Sequence, residues 1–239
     1  MSLRIKLGAV AVALLAGYVL WIAVLRDLAL FQVEQVKISG LSGEAAPQIA
    51  STIELTAREM TTTDFSTARL REAVAGYSSI AGLRAATQFP HGVRIAVVQW
   101  QPLARLEVDG RVLAVAANDR VLEGLTAPAS LPLISTDAQP IGARITDPLT
   151  REELAVLAAA PAPLLARVFQ IREGDEGLTV RLRHGPLIYF GNDSLPHAKW
   201  DSAAVVLASP SSRGARYVDV AQPGRPAAAV DDPATTPAS

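Results

Sequence analysis

Residues 83–100 read LRAATQFPHGVRIAVVQW, two runs of alternating apolar and polar side chains on either side of Pro90-His91-Gly92. Alternation with a period of two sends successive side chains to opposite faces of a strand, and the Pro-His-Gly interruption reverses the chain. The stretch therefore predicts a β-hairpin of residues 83–89 and 93–100. Upstream, residues 31–40 read FQVEQVKISG, which mixes alternation with β-branched residues, closes on Ser-Gly and predicts an opening strand. Two helical patterns lie between. Residues 44–55 place Ile49 and Ile53 on one face, and residues 66–77 place Leu70, Ala73, Val74 and Tyr77 at i, i+3, i+4 and i+7. Asp64 or Ser66 suits the N-cap of the second helix, and Thr61-Thr62-Thr63 connects the two. The order β-α-α-β-β over residues 31–105 thus predicts a small α+β unit, with two helices covering one face of a three-stranded sheet.

From residue 106 the pattern changes to short strands with turn residues. Val108-Asp109-Gly110-Arg111-Val112-Leu113 has Asp-Gly between apolar flanks, a strong hairpin signal, and Asn118-Asp119-Arg120 turns into Val121-Leu122. Strands are expected at 131–134, 168–171, 178–183, 187–190 and 217–220, and helices at 151–159 and 195–208. This predicts a mainly antiparallel β domain with flanking helices over residues 106–221. Residues 222–239 are rich in Pro and Ala with almost no large apolar side chain, and are expected to be a disordered tail.

Toward the N-terminus, residues 7–25 read LGAVAVALLAGYVLWIAVL, uncharged and bracketed by Lys6 and Arg26. As a helix this run spans about 28 Å, against a hydrocarbon core of about 30 Å. It is longer than the apolar core of an ordinary signal peptide, and no small-x-small cleavage pair immediately follows it, so it reads as an uncleaved anchor. Arg4 and Lys6 precede it without an acid, whereas Arg26 is offset by Asp27. Residues 1–6 are therefore expected in the cytoplasm, with the bulk of the chain outside the cytoplasmic membrane.

Composition excludes several classes of function. A net charge of −1, from 22 basic and 23 acidic residues, supplies no field to hold a polyanion. The absence of cysteine removes disulfide and thiolate chemistry, and three scattered histidines leave little material for a zinc site. Half the residues are apolar, which is incompatible with global disorder. No P-loop, G-x-G-x-x-G, H-E-x-x-H or G-x-S-x-G occurs. His91 and His184 fall in turns and His197 at the start of a helix, while Glu152-Glu153 suits a helix N-terminus rather than an opposed carboxylate pair. The expectation is a protein without catalytic, cofactor or metal sites.

Two features point to interaction instead. Ala9, Ala13 and Gly17 place small side chains on one face of the anchor, where another transmembrane helix can approach, although an Ala-rich run also produces such spacing by chance. The strand at 217–220, if it is the last before the tail, lies at a sheet edge with backbone groups open to an added strand. The alternative is an edge merely blunted by Pro223 and Pro226.

The whole arrangement resembles the FtsQ/DivIB family of bacterial cell-division proteins, which have one N-terminal anchor, a POTRA domain and a β domain. Phe89-Pro90-His91-Gly92-Val93-Arg94-Ile95 is similar to the family's P-x-x-l-x-I hairpin, and Val98-Gln99-Trp100-Gln101-Pro102-Leu103-Ala104 to its V-x-E-x-x-P-x-A ending, with Gln99 where the family usually has Glu. Val108-Asp109-Gly110, Leu131-Pro132, Ile188-Tyr189-Phe190-Gly191 followed by Lys199, and Tyr217-Val218-Asp219-Val220 ahead of Arg225-Pro226 resemble landmarks of the β part. Some relatives carry Arg after the glycine matching Gly191, where this chain has Asn192. The resemblance implies a noncatalytic divisome scaffold at the septum, helping to control septal peptidoglycan synthesis through FtsB/DivIC-like and FtsL-like membrane partners. It also implies strand addition at Tyr217, Val218, Asp219, Val220, Ala221 and Gln222. A POTRA-bearing secretion or envelope-assembly factor is the alternative, and a wall enzyme is a third class without a candidate constellation.

Overall fold

The computed structural model describes residues 32–229 and Tyr18. The expected anchor at 7–25 apart from Tyr18, with its small residues Ala9, Ala13 and Gly17, lies outside the described residues, as do residues 1–6 and 230–239. Among the described residues no helix is long and apolar enough to cross a membrane. The chain is a mixed α+β protein with two sheets, and it divides into two compact units, Met1–Gln99 and Trp100–Ser239. The division falls before the expected boundary at 105/106. The reason is that Ala104 and Arg105 already belong to a strand that pairs within the second unit.

In the first unit the elements run β1 (Gln35–Ser39), α1 (Ala46–Arg58), α2 (Thr67–Ala73), β2 (Ile80–Gln88) and β3 (Gly92–Gln99). The sheet order is β1-β3-β2, with β3 antiparallel to β2 and parallel to β1. In α1, Ile49, Ile53 and Ala57 recur every four residues and are all buried, and Glu54 and Arg58 pair at 2.7 Å on the exposed side. Ser66 is the cap of α2, its side chain accepting from the Arg69 amide. That helix stops at Ala73, short of the expected Tyr77, because the chain enters turns in which the amides of Ala75 and Tyr77 bond back to Glu72 and Val74. Both helices close over Leu83, Val93, Ile95 and Val97. Gly40 has φ +84°, and a Cβ there meets the Val97 carbonyl oxygen at 2.1 Å, so the Ser-Gly ending of β1 tolerates no other residue.

The second unit contains β4 (Ala104–Val108), β5 (Arg111–Val115), β6 (Leu133–Ser135), α3 (Pro148–Ala158), α4 (Ala162–Leu165), β7 (Val168–Gly174), β8 (Gly177–Leu182), β9 (Leu187–Gly191), α5 (Pro196–Ala208), β10 (Tyr217–Asp219) and β11 (Ala227–Ala229). They form an eight-stranded sheet in the order β11-β10-β9-β8-β7-β6-β4-β5. The sheet is mixed: β10 with β9, β7 with β6, and β6 with β4 pair in parallel, and the other four pairings are antiparallel. Parallel neighbours need a crossover, and α3 with α4, and α5, occupy two of those connections. Asp109 and Gly110, at φ +49° and +73°, make the β4–β5 turn as Asp-Gly predicts. The core joins Leu106, Ile134, Ile171, Val180, Ile188 and Val218 from the strands to Leu154, Leu157, Trp200 and Ala203 from the helices.

Candidate partner-binding edge

Strand β10 is not the end of the sheet. The stretch expected to be wholly disordered contains Ala227–Ala229, which pairs antiparallel with β10 as Tyr217↔Ala229, Val218↔Ala228 and Asp219↔Ala227. On its other side β10 pairs in parallel with β9. Its backbone therefore has strands on both sides, which corrects the premise that 217–220 is itself an open edge. The physical reason is that a strand requires only backbone donors and acceptors. Three alanines with no core-forming side chain satisfy it when a neighbouring ladder is free.

The six candidate residues consequently differ in what they offer. Val218 and Val220 are fully buried in the core, Tyr217 and Asp219 are half-buried, and only Ala221 and Gln222 are exposed. Tyr217 stacks on Tyr189 of β9, with ring centroids 5.2 Å apart. Asp219 turns its carboxylate onto the Ala221 amide at 2.9 Å, and Ser202 of α5 donates to the Pro223 carbonyl at 2.8 Å, which ties the β10–β11 connection to the helix behind it.

The outer edge now belongs to β11, which has no further strand beside it among the described residues. Ala227 and Ala228 are exposed, small and uncharged, with proline only at the preceding position 226. None of the usual edge protection, a lysine, a bulge or an internal proline, lies within the strand. The opposite edge, β5, is more covered, because Val115 bridges Val121 and the Leu122 amide bonds to the Ala114 carbonyl.

Behind this edge sits a side chain whose role the sequence pattern did not reveal. Lys199 on α5 is only 1% exposed, and its ammonium donates to the carbonyls of Phe190 at 2.8 Å and Asn192 at 3.0 Å and to Asn192 Oδ1 at 2.8 Å. Burial pushes its pKa below the ordinary lysine value, with Asp193 and Asp219 pulling the other way. Asn192 Oδ1 also accepts from the Ser194 amide at 3.1 Å. The Asn192 side chain is thus engaged in closing its own loop. The loop is packed tightly from below as well: Gly177 has φ +79°, and a Cβ on it lies 2.0 Å from the Gly191 carbonyl oxygen.

Glu153 departs from its expected place at a helix N-terminus. Asp147 is the cap of α3, accepting from the amide and hydroxyl of Thr150, while Glu153, one turn further on, is 3% exposed. Burial, followed by the carboxylates of Asp147 and Glu173, raises its pKa to about 8. The folded state therefore holds a proton that the unfolded chain, at the ordinary value of 4.5, releases. Stability falls as pH rises between these two values and levels off above the upper one. In urea titrations the unfolding midpoint is expected to decline from pH 5 to pH 8, and Glu153→Gln is expected to flatten that decline; an unchanged slope refutes the assignment.

The three histidines do not converge. His91 is half-buried in the β2–β3 turn, His184 is exposed after β8, and His197 is exposed in the first turn of α5. No protein-family model matches the chain, and no curated protein matches it.

Proposed function

We propose that this chain is a membrane-anchored, noncatalytic scaffold of the bacterial division machinery, holding FtsB/DivIC-like and FtsL-like partners at the septum by accepting a partner strand on its second unit. The observation that carries the reading is the outer edge of β11: three unprotected, uncharged alanines closing an eight-stranded sheet. Main-chain hydrogen bonds supply affinity to such an edge without a pocket, and alternate side chains set the register. The order β-α-α-β-β of the first unit supports a POTRA-like module, and the apolar run at 7–25 supports the anchor.

The strand-addition part is tested at Ala227 and Ala228. Successive amides of a strand point to opposite sides, so one of the two faces outward. Proline at that position deletes a donor needed by an incoming strand while leaving the bonds to β10 in place. One of Ala227→Pro and Ala228→Pro is expected to weaken capture of the FtsB/DivIC-like partner by at least about tenfold, with the unfolding midpoint held. Equal capture by both variants refutes the edge. Val218→Pro and Val220→Pro do not serve, because both valines are buried in the core and their loss damages the unit itself. For the cellular role, a functional N-terminal fluorescent fusion is expected to form a midcell ring. Uniform envelope labelling argues instead for a secretion or envelope-assembly factor.

A further inference from the structure

Strand β7 carries an irregularity that changes what the second sheet presents away from the helices. Val168 pairs with Leu182 and Gln170 with Arg181, so Phe169 is the extra residue of a β-bulge. Strict alternation from the buried Val168 turns Gln170 inward and Ile171 outward. Instead Ile171 is buried, and Phe169 and Gln170 are both half-buried. The helices pack on the face that holds Ile171, Val180 and Ile188, and the bulge adds an aromatic ring to the opposite face. Arg181 and Arg183 alternate with the buried Val180 and Leu182, so they share that opposite face, and both are exposed. Their guanidinium carbons lie 5.5 and 5.7 Å from the centroid of the Phe169 ring.

Two guanidinium groups on one ring are held in place with donors to spare. A stacked guanidinium keeps its N–H groups in its own plane, and the ring restricts the long side chain before a ligand arrives. Among the described residues neither arginine forms an ion pair. Arg183 uses Nη2 on the carbonyls of Ala129 and Ser130, at 3.2 and 2.7 Å. Arg167 adjoins it, the Arg183 amide donating to the Arg167 carbonyl, and Arg105 and Arg172 face the same way from β4 and β7. The acids are fewer and further off. Glu107 and Asp219 share this face three and two strands from β8, the first accepting from Ser135 Oγ at 3.2 Å and the second from the Ala221 amide at 2.9 Å. Glu173 lies on the helix side, where it acts on Glu153, and Asp175 and Glu176 form the far tip of the β7–β8 hairpin. Glu123, in the connection before β6, has a contact of its own, and Asp231 and Asp232 lie beyond the described residues.

We infer that Phe169, Arg181 and Arg183 form a docking surface for an acidic segment of a partner protein, its carboxylates forked by the two arginines and an apolar side chain set against the ring and the neighbouring Leu187. The unpaired positive charge fixes the sign of the occupant. Its kind follows from the company the arginines keep: an aromatic ring, Gln170 and the half-buried Leu187 pair with Arg181 or touch it, and no lysine is among them. Arginine with aromatic and aliphatic side chains is the composition of a protein interface, whereas a polyanion is held by many charges following its backbone. The surface is centred on β8, three strands from β11, and does not rest on the strand-addition reading.

The full chain, purified in detergent, is used to select from a phage-displayed library of random short peptides, with Arg181→Gln passed over the same library in parallel. Peptides retained by the wild type are expected to be enriched in Asp and Glu, and those retained by Arg181→Gln are not. With the most frequent peptide synthesised and dye-labelled, Arg181→Gln is expected to weaken binding by at least about tenfold, and Arg181→Gln/Arg183→Gln further still. Phe169→Leu keeps an apolar side chain but removes the ring, and is expected to weaken binding by about threefold or more because the arginines lose their stack. The unfolding midpoint verifies that each variant is folded. Ala228→Pro is expected to bind the peptide as the wild type does. Absence of acidic enrichment, or equal enrichment on Arg181→Gln, overturns the inference. So does a labelled oligothymidylate that binds as tightly as the peptide and is lost in Arg181→Gln, which marks a general polyanion patch. A severalfold gain in peptide binding by Asp231→Asn/Asp232→Asn assigns the surface to the chain's own tail and overturns the partner reading.

Discussion

Replacing Trp200 by alanine is expected to lower the stability of the second unit by about 3–5 kcal/mol, the largest single-residue effect in the molecule. Trp200 lies on α5 with no exposed surface, and its ring packs on Phe190 of β9 with centroids 4.9 Å apart. Its indole Nε1 donates to the Val156 carbonyl at 2.8 Å. That carbonyl is in the last turn of α3, where helix geometry leaves acceptors without an intrahelical donor. One side chain therefore joins two helices and the sheet, and its removal opens a cavity and strands a buried acceptor together. Thermal unfolding followed by circular dichroism is expected to shift down by roughly 10–20 °C. Trp200→Phe separates the contributions: it retains a ring against Phe190 but not the hydrogen bond, and is expected to cost about 1–2 kcal/mol. A shift of only a few degrees for Trp200→Ala contradicts the packing described.

Replacing Lys199 by methionine is expected to cost about 2–4 kcal/mol, although methionine nearly matches its length and is better suited to an apolar interior. The loss arises from what stays behind. The carbonyls of Phe190 and Asn192 and the Asn192 side-chain oxygen all converge on the ammonium, and none of them gains a donor from a thioether. Gly191 lies inside that loop, its Cα hydrogen position close to Ala221 at the exit from β10, so a Cβ built there meets Ala221 Cβ at 3.3 Å. Loosening the loop is therefore expected to speed amide exchange at Asn192 and Ala221 before the rest of the unit opens. Lys199→Arg is expected to rescue poorly, because a planar guanidinium does not reproduce a compact point donor in a filled site. If Lys199→Met unfolds at the wild-type midpoint, the clamp contributes nothing.

Lys199 and Glu153 also show where sequence reading stops. Each occupies a helix amid residues that permit either a surface or an interior position, and neither carries a local pattern that marks it as buried. Lys199 is recognisable as interior only when the carbonyls from β9 and its following loop are seen around it. Glu153 follows Glu152 in the second turn of α3, and the two are indistinguishable by composition. Only the packing of α3 over the sheet separates the exposed side of the helix from the side that holds Glu153, Leu154 and Leu157.

What the amino-acid sequence determined by itself was local: the strand, helix, helix and hairpin order of the first unit, the Asp109-Gly110 turn, and the positions of most strands and helices in the second. Hydrophobic period and turn chemistry act over a few residues, so they are written in consecutive letters. Only the tertiary structure decided that β10 pairs in parallel with β9, that the sheet is mixed, and that three alanines beyond Pro226 form its outer edge. Strand pairing is made by backbone groups that every residue carries, between segments distant in the chain. Side-chain pattern therefore identified the strand at Tyr217–Asp219 but not its neighbours, and the outer edge of the sheet lies one strand beyond the one that the pattern marked.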